Sequence, residues 1–346
     1  MKNTIILMTA LVSTTGHSDL IEFAQHLPNT KVHVLVNSRS FEPLDGGLRV
    51  EALQNAVFNK DLNNVVICES LNDTAPQNPE DMLEGFWEWW KNEINTNFPE
   101  VKQWDYVVAS EHYGKNIADI LGAEFIPYDI ERVHNNTKGT LVRQNIWENW
   151  MNILPVVRRE FQYRAVLFGQ ESVGKTTLSK SVSESLGVPW LVEYARPYLH
   201  EVGEDLSMQK MSNIHAGQKS LQEMFFTKAS APAIILDTDL FSTVGYYRIM
   251  GEKVPEELIN DALRLNADMY FVLPDDIPLV KDPQRYGGDK RESDTQFWID
   301  LLEEFDQPYT IVPSGSVEEK TAWIADCIRS GAEAKTKSVR EFVREW

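Results

Sequence analysis

The chain has 346 residues, 42% of them hydrophobic and 25% charged, a globular composition at a length that calls for two domains and excludes wholesale disorder. Thirty-three Lys and Arg stand against fifty-two Asp and Glu, a net charge of −19, which argues against a nucleic-acid binder living on phosphate neutralisation and leaves only local phosphate contacts. Cys68 and Cys327 are the only cysteines and have no CxxC spacing, so no zinc cage is expected and a reduced, cytoplasmic setting is; no apolar run reaches the roughly 18 residues of a membrane span.

The apolar run after Lys2 lacks the basic region and small-residue cleavage site of a signal peptide, so residues 4–12 read as a buried first strand. Leu20, Ile21, Phe23, Ala24 and Leu27 place a helix over residues 19–27, and a strand over 31–36 completes a βαβ unit. Short apolar strands at 64–68, 106–109 and 124–126, separated by helices such as 48–58 and 81–94, predict a parallel sheet. Residues 151–163, with Pro155, Arg158 and Arg159, break the alternation, and the boundary falls there: a first domain over 1–157, a second over 158–330. Strands at 164–168, 190–193, 233–236, 269–273 and 309–312 make the second domain α/β as well, with ligands expected beyond the carboxyl ends of its strands. Residues 331–346, with Lys335, Lys337, Arg340 and Arg344 around Val339 and Phe342, read as a basic helical tail.

Gly169-Gln170-Glu171-Ser172-Val173-Gly174-Lys175-Thr176 matches GxxxxGK[ST] between a strand and the helical stripe Leu178, Val182 and Leu186. Main-chain N–H groups from Gly169, Glu171, Ser172 and Gly174 on to Thr177 are expected to cradle the phosphates of ATP, Lys175 to reach the β and γ phosphates, and the Thr176 hydroxyl to ligate Mg²⁺. Asp237-Thr238-Asp239 ends an apolar strand, where Asp237 would hold magnesium or accept a proton and Asp239 would meet substrate. Glu193-Tyr194-Ala195-Arg196 follows another strand and offers a carboxylate to orient or deprotonate a hydroxyl, an aromatic face and a cation. Residues 281–291, including Asp282 and Arg285, are Gly-rich and cationic, as suits a lid over transferred phosphate.

In the first domain Thr14-Thr15-Gly16-His17 resembles the HxGH or TxGH stretch of the nucleotidyltransferase superfamily, where an imidazole and a neighbouring hydroxyl stabilise the α-phosphate and Gly permits close approach. Gly139-Thr140-Leu141-Val142-Arg143 sits where that superfamily carries a Ser/Thr turn and an Arg that binds ATP phosphates.

Together these motifs resemble the bifunctional nicotinamide-nucleotide adenylyltransferase/ribosylnicotinamide kinase family, from about Ile5 to Ile328 and most specifically from Gly139 through Trp147, Trp150, Pro155 and Arg158 into the phosphate loop. The resemblance implies a nucleotidyltransferase-like Rossmann domain followed by a P-loop kinase domain. It also implies ribosylnicotinamide, nicotinamide mononucleotide and ATP as substrates, Mg²⁺, and a role in NAD salvage. Its site residues would be His17, Thr14 and Arg143 in the first domain, and Lys175, Glu193, Asp237 and Arg285 in the second, with Tyr194, Arg196, Asp239 and Asp282 on substrate. The chain departs from the family's GxFxPxHxGH pattern at Met8, Ala10, Val12 and Thr14, keeping Gly16 and His17. Because the sequence opens on a strand, the helix-turn-helix module of some members, and with it a nucleic-acid partner, is not expected; a homo-oligomer is open. Two further readings are a kinase whose first domain is a degenerate or sensing module, and a non-catalytic ATP-gated regulator. An intact Glu193, Asp237 and the lid arginines speak against the regulator, since a switch needs no substrate-hydroxyl base.

Overall fold

The computed structural model describes residues 1–346 apart from Leu83, Asn136, 204–206, 277–292 and 343–346. The expected lid, with Asp282 and Arg285, therefore lies outside the described residues. The chain divides into two compact units, one of Met1–Glu160 with the segment from Thr336 onward, the other of Phe161–Lys335.

In the first unit β1 (Lys2–Met8), β2 (Thr30–Ser38), β3 (Val65–Leu71), β4 (Tyr106–Ala109) and β5 (Glu124–Pro127) form one parallel sheet in the order β3-β2-β1-β4-β5. Helices Thr15–Gln25 and Gly46–Asn59 pack together beside β2 and β3, and helices Phe86–Asn97 and Tyr113–Leu121 pack together with β3, β4 and β5. Both faces of β1 are thus covered, which is why it reads as an unbroken apolar run rather than an alternation. Ile5 and Leu7 join Leu35, Val107, Phe86, Trp90 and Ile94 in one core cluster. The first strand ends at Met8, short of the expected residue 12: its pairing with β2 stops at Val36, and Ala10 turns the chain away with φ +45°. The third helix starts at Phe86 rather than at residue 81, after the 3-10 turn Pro79–Asp81 and Gly85 at φ +85°.

In the second unit β6 (Tyr163–Phe168), β7 (Trp190–Leu191), β8 (Ala233–Leu236), β9 (Met269–Val272) and β10 (Tyr309–Ile311) are again all parallel, in the order β10-β9-β6-β8-β7. Val166, Phe168, Ile234, Leu236, Tyr270 and Val272 face a core completed by Met211, Ile214, Phe226, Phe241, Leu258 and Trp298 from four helices. Helices Lys175–Leu186 and Val317–Lys335 pack on each other, the latter also on β6.

Residues 151–163 hold the helix Pro155–Phe161, opened by a proline that needs no N–H at its first position. Arg158 of the basic pair is structural, donating to the Ile153 and Met151 carbonyls at 2.7 and 3.1 Å. The tail expected from residue 331 begins later. Helix Val317–Lys335 runs straight through Gly331, where the Tyr163 ring occupies the space of a side chain, and Lys335 ends it by donating to Asp268 and the Gln162 carbonyl at 2.8 Å. Thr336 and Val339 are then buried, and helix Lys337–Glu341 packs on helix Gly139–Gln144.

Candidate functional sites

The strand order of each sheet reverses at its central strand, and in open α/β sheets that is where ligands bind, outside the carboxyl ends. Both units carry a cavity there.

The second unit's cavity, about 330 Å³, is lined by Glu171, Ser172, Gly174, Lys175, Thr176 and Thr177 of the phosphate loop, by Glu193 and Arg196 after β7, and by Thr238 after β8. Gly169, Ser172 and Gly174 all have positive φ, at 129°, 61° and 90°, so the loop curls and delivers Lys175 to the first turn of its helix. The Lys175 ammonium is held over the loop by the Gly169 and Gln170 carbonyls at 2.8 and 2.7 Å. Thr176 Oγ1 donates to Asp237 Oδ2 at 2.6 Å, while Asp237 Oδ1 is buried without a hydrogen-bond partner among the described residues. Burial pushes the Asp237 carboxyl up to about 6, against the pull of Thr176. Glu193 lies 3.9 Å from the Arg196 guanidinium, and its side chain keeps 22% of its surface open.

Two of the expected substrate contacts are placed elsewhere. Asp239 is the N-cap of helix Leu240–Ile249, accepting from Ser242 N–H at 3.2 Å and from the Tyr270 hydroxyl at 2.6 Å, and it does not line the cavity. Its carboxyl, fully enclosed, is also raised to about 6 by burial. The Tyr194 ring lies against Gly217 and stacks on Tyr198 with ring centres 5.7 Å apart. Sequence reasoning passed over Gln218, which lines the cavity and accepts from Tyr194 N–H at 3.0 Å, and over the apolar wall of Leu199, Met211 and Ile214. None belongs to a motif.

The first unit's cavity is larger, about 850 Å³, and Thr14, Gly16, His17, Gly139, Thr140 and Arg143 all line it. Thr14 caps the helix Thr15–Gln25, and its main-chain N–H donates to His17 Nδ1 at 3.0 Å, with Thr14 Oγ1 2.9 Å from the same nitrogen. A main-chain N–H is always a donor, so Nδ1 is the acceptor and the ring proton sits on Nε2. Burial, helped by the charge of Arg132, holds the imidazole down at about 4. Thr14 thus orients His17 rather than standing beside it as a second independent donor. A side chain at Gly16 would crowd the Thr137 carbonyl at 3.2 Å. Arg143 is half-buried and donates to the Phe342 carbonyl at 2.8 Å. The far wall is aromatic and amide, with Phe86, Trp87, Trp90, Asn37 and Gln77, which no motif announced.

A family model described as an AAA domain matches residues 164–320. Over 230 residues the chain is 25% identical to the trifunctional NAD biosynthesis/regulator protein NadR of Salmonella typhimurium, covering 63% of this chain and 55% of that protein. The protein of the same name from Escherichia coli K12 is 25% identical over 229 residues, with the same coverage. The chain is homologous to NadR. It spans about half the length of these curated relatives. Among solved structures, a NadR protein in complex with NR matches at a TM-score of 0.69 and 20% identity, over 96% of both chains. A NadR protein in complex with NAD and AMP-PNP matches at 0.66 and 19% identity, over 100% of this chain and 98% of that one. The chain therefore shares the fold of these two structures. No helix of the described residues is long and apolar enough to cross a membrane.

Proposed function

We propose that the chain is a bifunctional NAD salvage enzyme. Its second unit would phosphorylate ribosylnicotinamide with ATP, and its first would join the resulting nicotinamide mononucleotide to AMP, releasing pyrophosphate. The observation that carries the reading is the second unit's cavity, where the phosphate loop and the carboxylate of Glu193 converge, with Asp237 held just behind the lining by its hydrogen bond from Thr176 and its other oxygen lacking a partner among the described residues. The NR, NAD and AMP-PNP complexes of structures with the same fold support the choice of substrates.

In the kinase step the loop N–H groups and Lys175 bind the β and γ phosphates. Glu193 takes the proton as the ribose hydroxyl oxygen attacks the γ-phosphorus, the bond from γ-phosphorus to the bridging oxygen breaks, and ADP leaves. Thr176 and Asp237 suit a magnesium ion, since a buried carboxylate oxygen without a partner next to a hydroxyl is a cation's donor set. Bound there, Mg²⁺ would neutralise charge on the phosphates. Leu199, Met211 and Ile214 offer an apolar wall to the nicotinamide ring.

In the adenylyl step a phosphate oxygen of nicotinamide mononucleotide attacks the α-phosphorus of ATP, and the α–β bond breaks. His17 presents Nε2–H to the α-phosphate oxygens as their charge grows, and Arg143 holds the departing pyrophosphate. Trp87 and Trp90 provide flat faces for a base or nicotinamide ring. Both steps suit a reducing cytoplasm, in keeping with two free cysteines.

The test is incubation with ribosylnicotinamide, ATP and Mg²⁺, with the products separated by chromatography. Mononucleotide followed by NAD is expected. Mononucleotide alone would leave the kinase and remove the adenylyltransferase; neither product would remove both.

A further inference from the structure

The ladder between β7 and β8 is only two residues long, Trp190 opposite Ile235 and Leu191 opposite Leu236, and its last main-chain rung runs from Asp237 N–H to the Leu191 carbonyl at 3.0 Å. Beyond that rung the two chains part, one carrying Glu193 and the other Asp237 and Thr238, and Glu193 and Thr238 line the cavity. The next rung is a side chain. Gln218, from the middle of helix Met208–Lys228, accepts from Tyr194 N–H at 3.0 Å and donates to the Thr238 carbonyl at 3.3 Å. Those partners fix the amide's orientation, because an N–H must meet the oxygen and a carbonyl must meet the nitrogen.

The amide is itself anchored. Its Nε2 reaches Gln222 Oε1 at 3.4 Å, and Gln222 Nε2 donates to the Leu265 carbonyl at 3.1 Å. Gln218 is 2% exposed and Gln222 fully buried. Gln218 borders the cavity, yet both its amide hydrogens are engaged by protein, so it has none to give a ligand.

We infer that Gln218 is a positioning residue for phosphoryl transfer: its amide is the rung that fixes the Glu193 turn against the end of β8 that carries Asp237. The inference rests on the kinase reading above. In-line transfer requires the acceptor hydroxyl and the phosphate to meet within a fraction of an ångström, and a misplacement of about 1 Å costs on the order of 10²-fold in rate. Two strand ends no longer joined by main-chain bonds would drift by that much without a clamp.

The experiment compares Gln218→Leu, Glu193→Gln and the double variant in the full chain, with ribosylnicotinamide and ATP as substrates. Gln218→Leu should lower kcat about 10- to 100-fold while leaving the KM for ATP within about threefold, since the hydrogen bonds of Gln218 go to Tyr194, Thr238 and Gln222 and not to the phosphate loop. If it acts through Glu193, the double variant should be no slower than Glu193→Gln alone, a non-additivity that general loosening of the fold does not produce. Gln218→Glu, which keeps the acceptor for Tyr194 and loses the donor to Thr238, should fall between Gln218→Leu and wild type. A kcat within twofold of wild type in folded Gln218→Leu, or defects that multiply in the double variant, would overturn the inference. Should Gln218→Leu not fold, Gln222→Leu takes its place, with a kcat loss of about three- to tenfold and the same coupling to Glu193→Gln expected; unchanged kcat there overturns it equally. A wild-type chain that does not phosphorylate ribosylnicotinamide removes the kinase reading and this inference with it. An active wild type with an indifferent Gln218 removes the inference alone.

Discussion

Asp237 occupies a position that a stability-optimised protein would give to a neutral residue. Enclosed and raised to about 6, its carboxyl prefers the protonated form in the fold more than in the unfolded chain, where it would titrate near 3.8. The folded state therefore holds more protons between those values, and Asp237's contribution falls as pH rises from about 4 to 6; at neutral pH the ionised group costs up to about 3 kcal/mol. Asp237→Asn should accordingly raise the melting temperature of the ligand-free chain at pH 7 while abolishing mononucleotide formation. A variant less stable than wild type in calorimetry at pH 7 would show that the hydrogen bond from Thr176 outweighs desolvation. His17 answers differently to pH. Held at about 4, it is already neutral throughout the physiological range, so the rate of NAD formation from supplied mononucleotide should show no titration near 6.5 that disappears in His17→Asn.

At the scale of elements, helix Met208–Lys228 brings Met211, Ile214 and Gln218 into the wall of the second unit's cavity. Gly217 faces the Tyr194 ring so closely that an added methyl group would sit 2.0 Å from it. Gly217→Ala must displace the Tyr194 ring, next in the chain to Glu193, so kcat for mononucleotide formation should fall about tenfold, with ADP affinity by calorimetry nearly unchanged because the phosphate loop lies on other elements. Equal loss of ADP affinity would show that the helix supports the whole site. Little of this helix's role was legible in the sequence. Its buried face mixes Met211, Ile214, His215, Gln218 and Gln222, without the apolar stripe that marks a core helix, and amides carry no motif. The strands were far easier. Buried parallel strands are continuous apolar runs, and the carboxylates that end them, Glu193 and Asp237, stand out for that reason. Asp239 was misplaced because a second carboxylate after a strand looks like a second ligand. The pattern Asp239-x-x-Ser242 ahead of an apolar helix was the N-cap signal that separates the two cases. Trp87 and Trp90 were passed over because aromatics at helical spacing usually belong to a core, and Trp90 serves both core and cavity.

Across the whole molecule, each unit has its own core, its own sheet and its own cavity at the reversal of strand order. In the first unit His33 is fully buried between Phe98 and Trp104, with both ring nitrogens lacking a hydrogen-bond partner among the described residues, and burial holds it at about 4. The unfolded chain takes up that proton near 6.5 and the folded chain does not, so stability present above 6.5 is lost as pH falls towards 4. His33→Phe should flatten this loss in calorimetric melts from pH 7 to 4.5; an unchanged slope would mean that other groups govern it. Catalysis should divide along the same line as the cores. Lys175 and His17 lie in different units, so Lys175→Ala should stop phosphorylation of ribosylnicotinamide yet leave NAD formation from supplied mononucleotide nearly untouched. His17→Ala should do the reverse, accumulating mononucleotide while NAD formation slows by roughly 30- to 1,000-fold, the 2 to 4 kcal/mol or so expected for one donor to a charge that grows in the transition state. Measuring both products in both variants separates a two-site enzyme from a kinase with an idle partner unit: in the latter, wild type makes no NAD and His17→Ala changes nothing. If either substitution abolished both activities in a chain that still melts cooperatively, the two chemistries would share a site, and the assignment of one to each unit would fall.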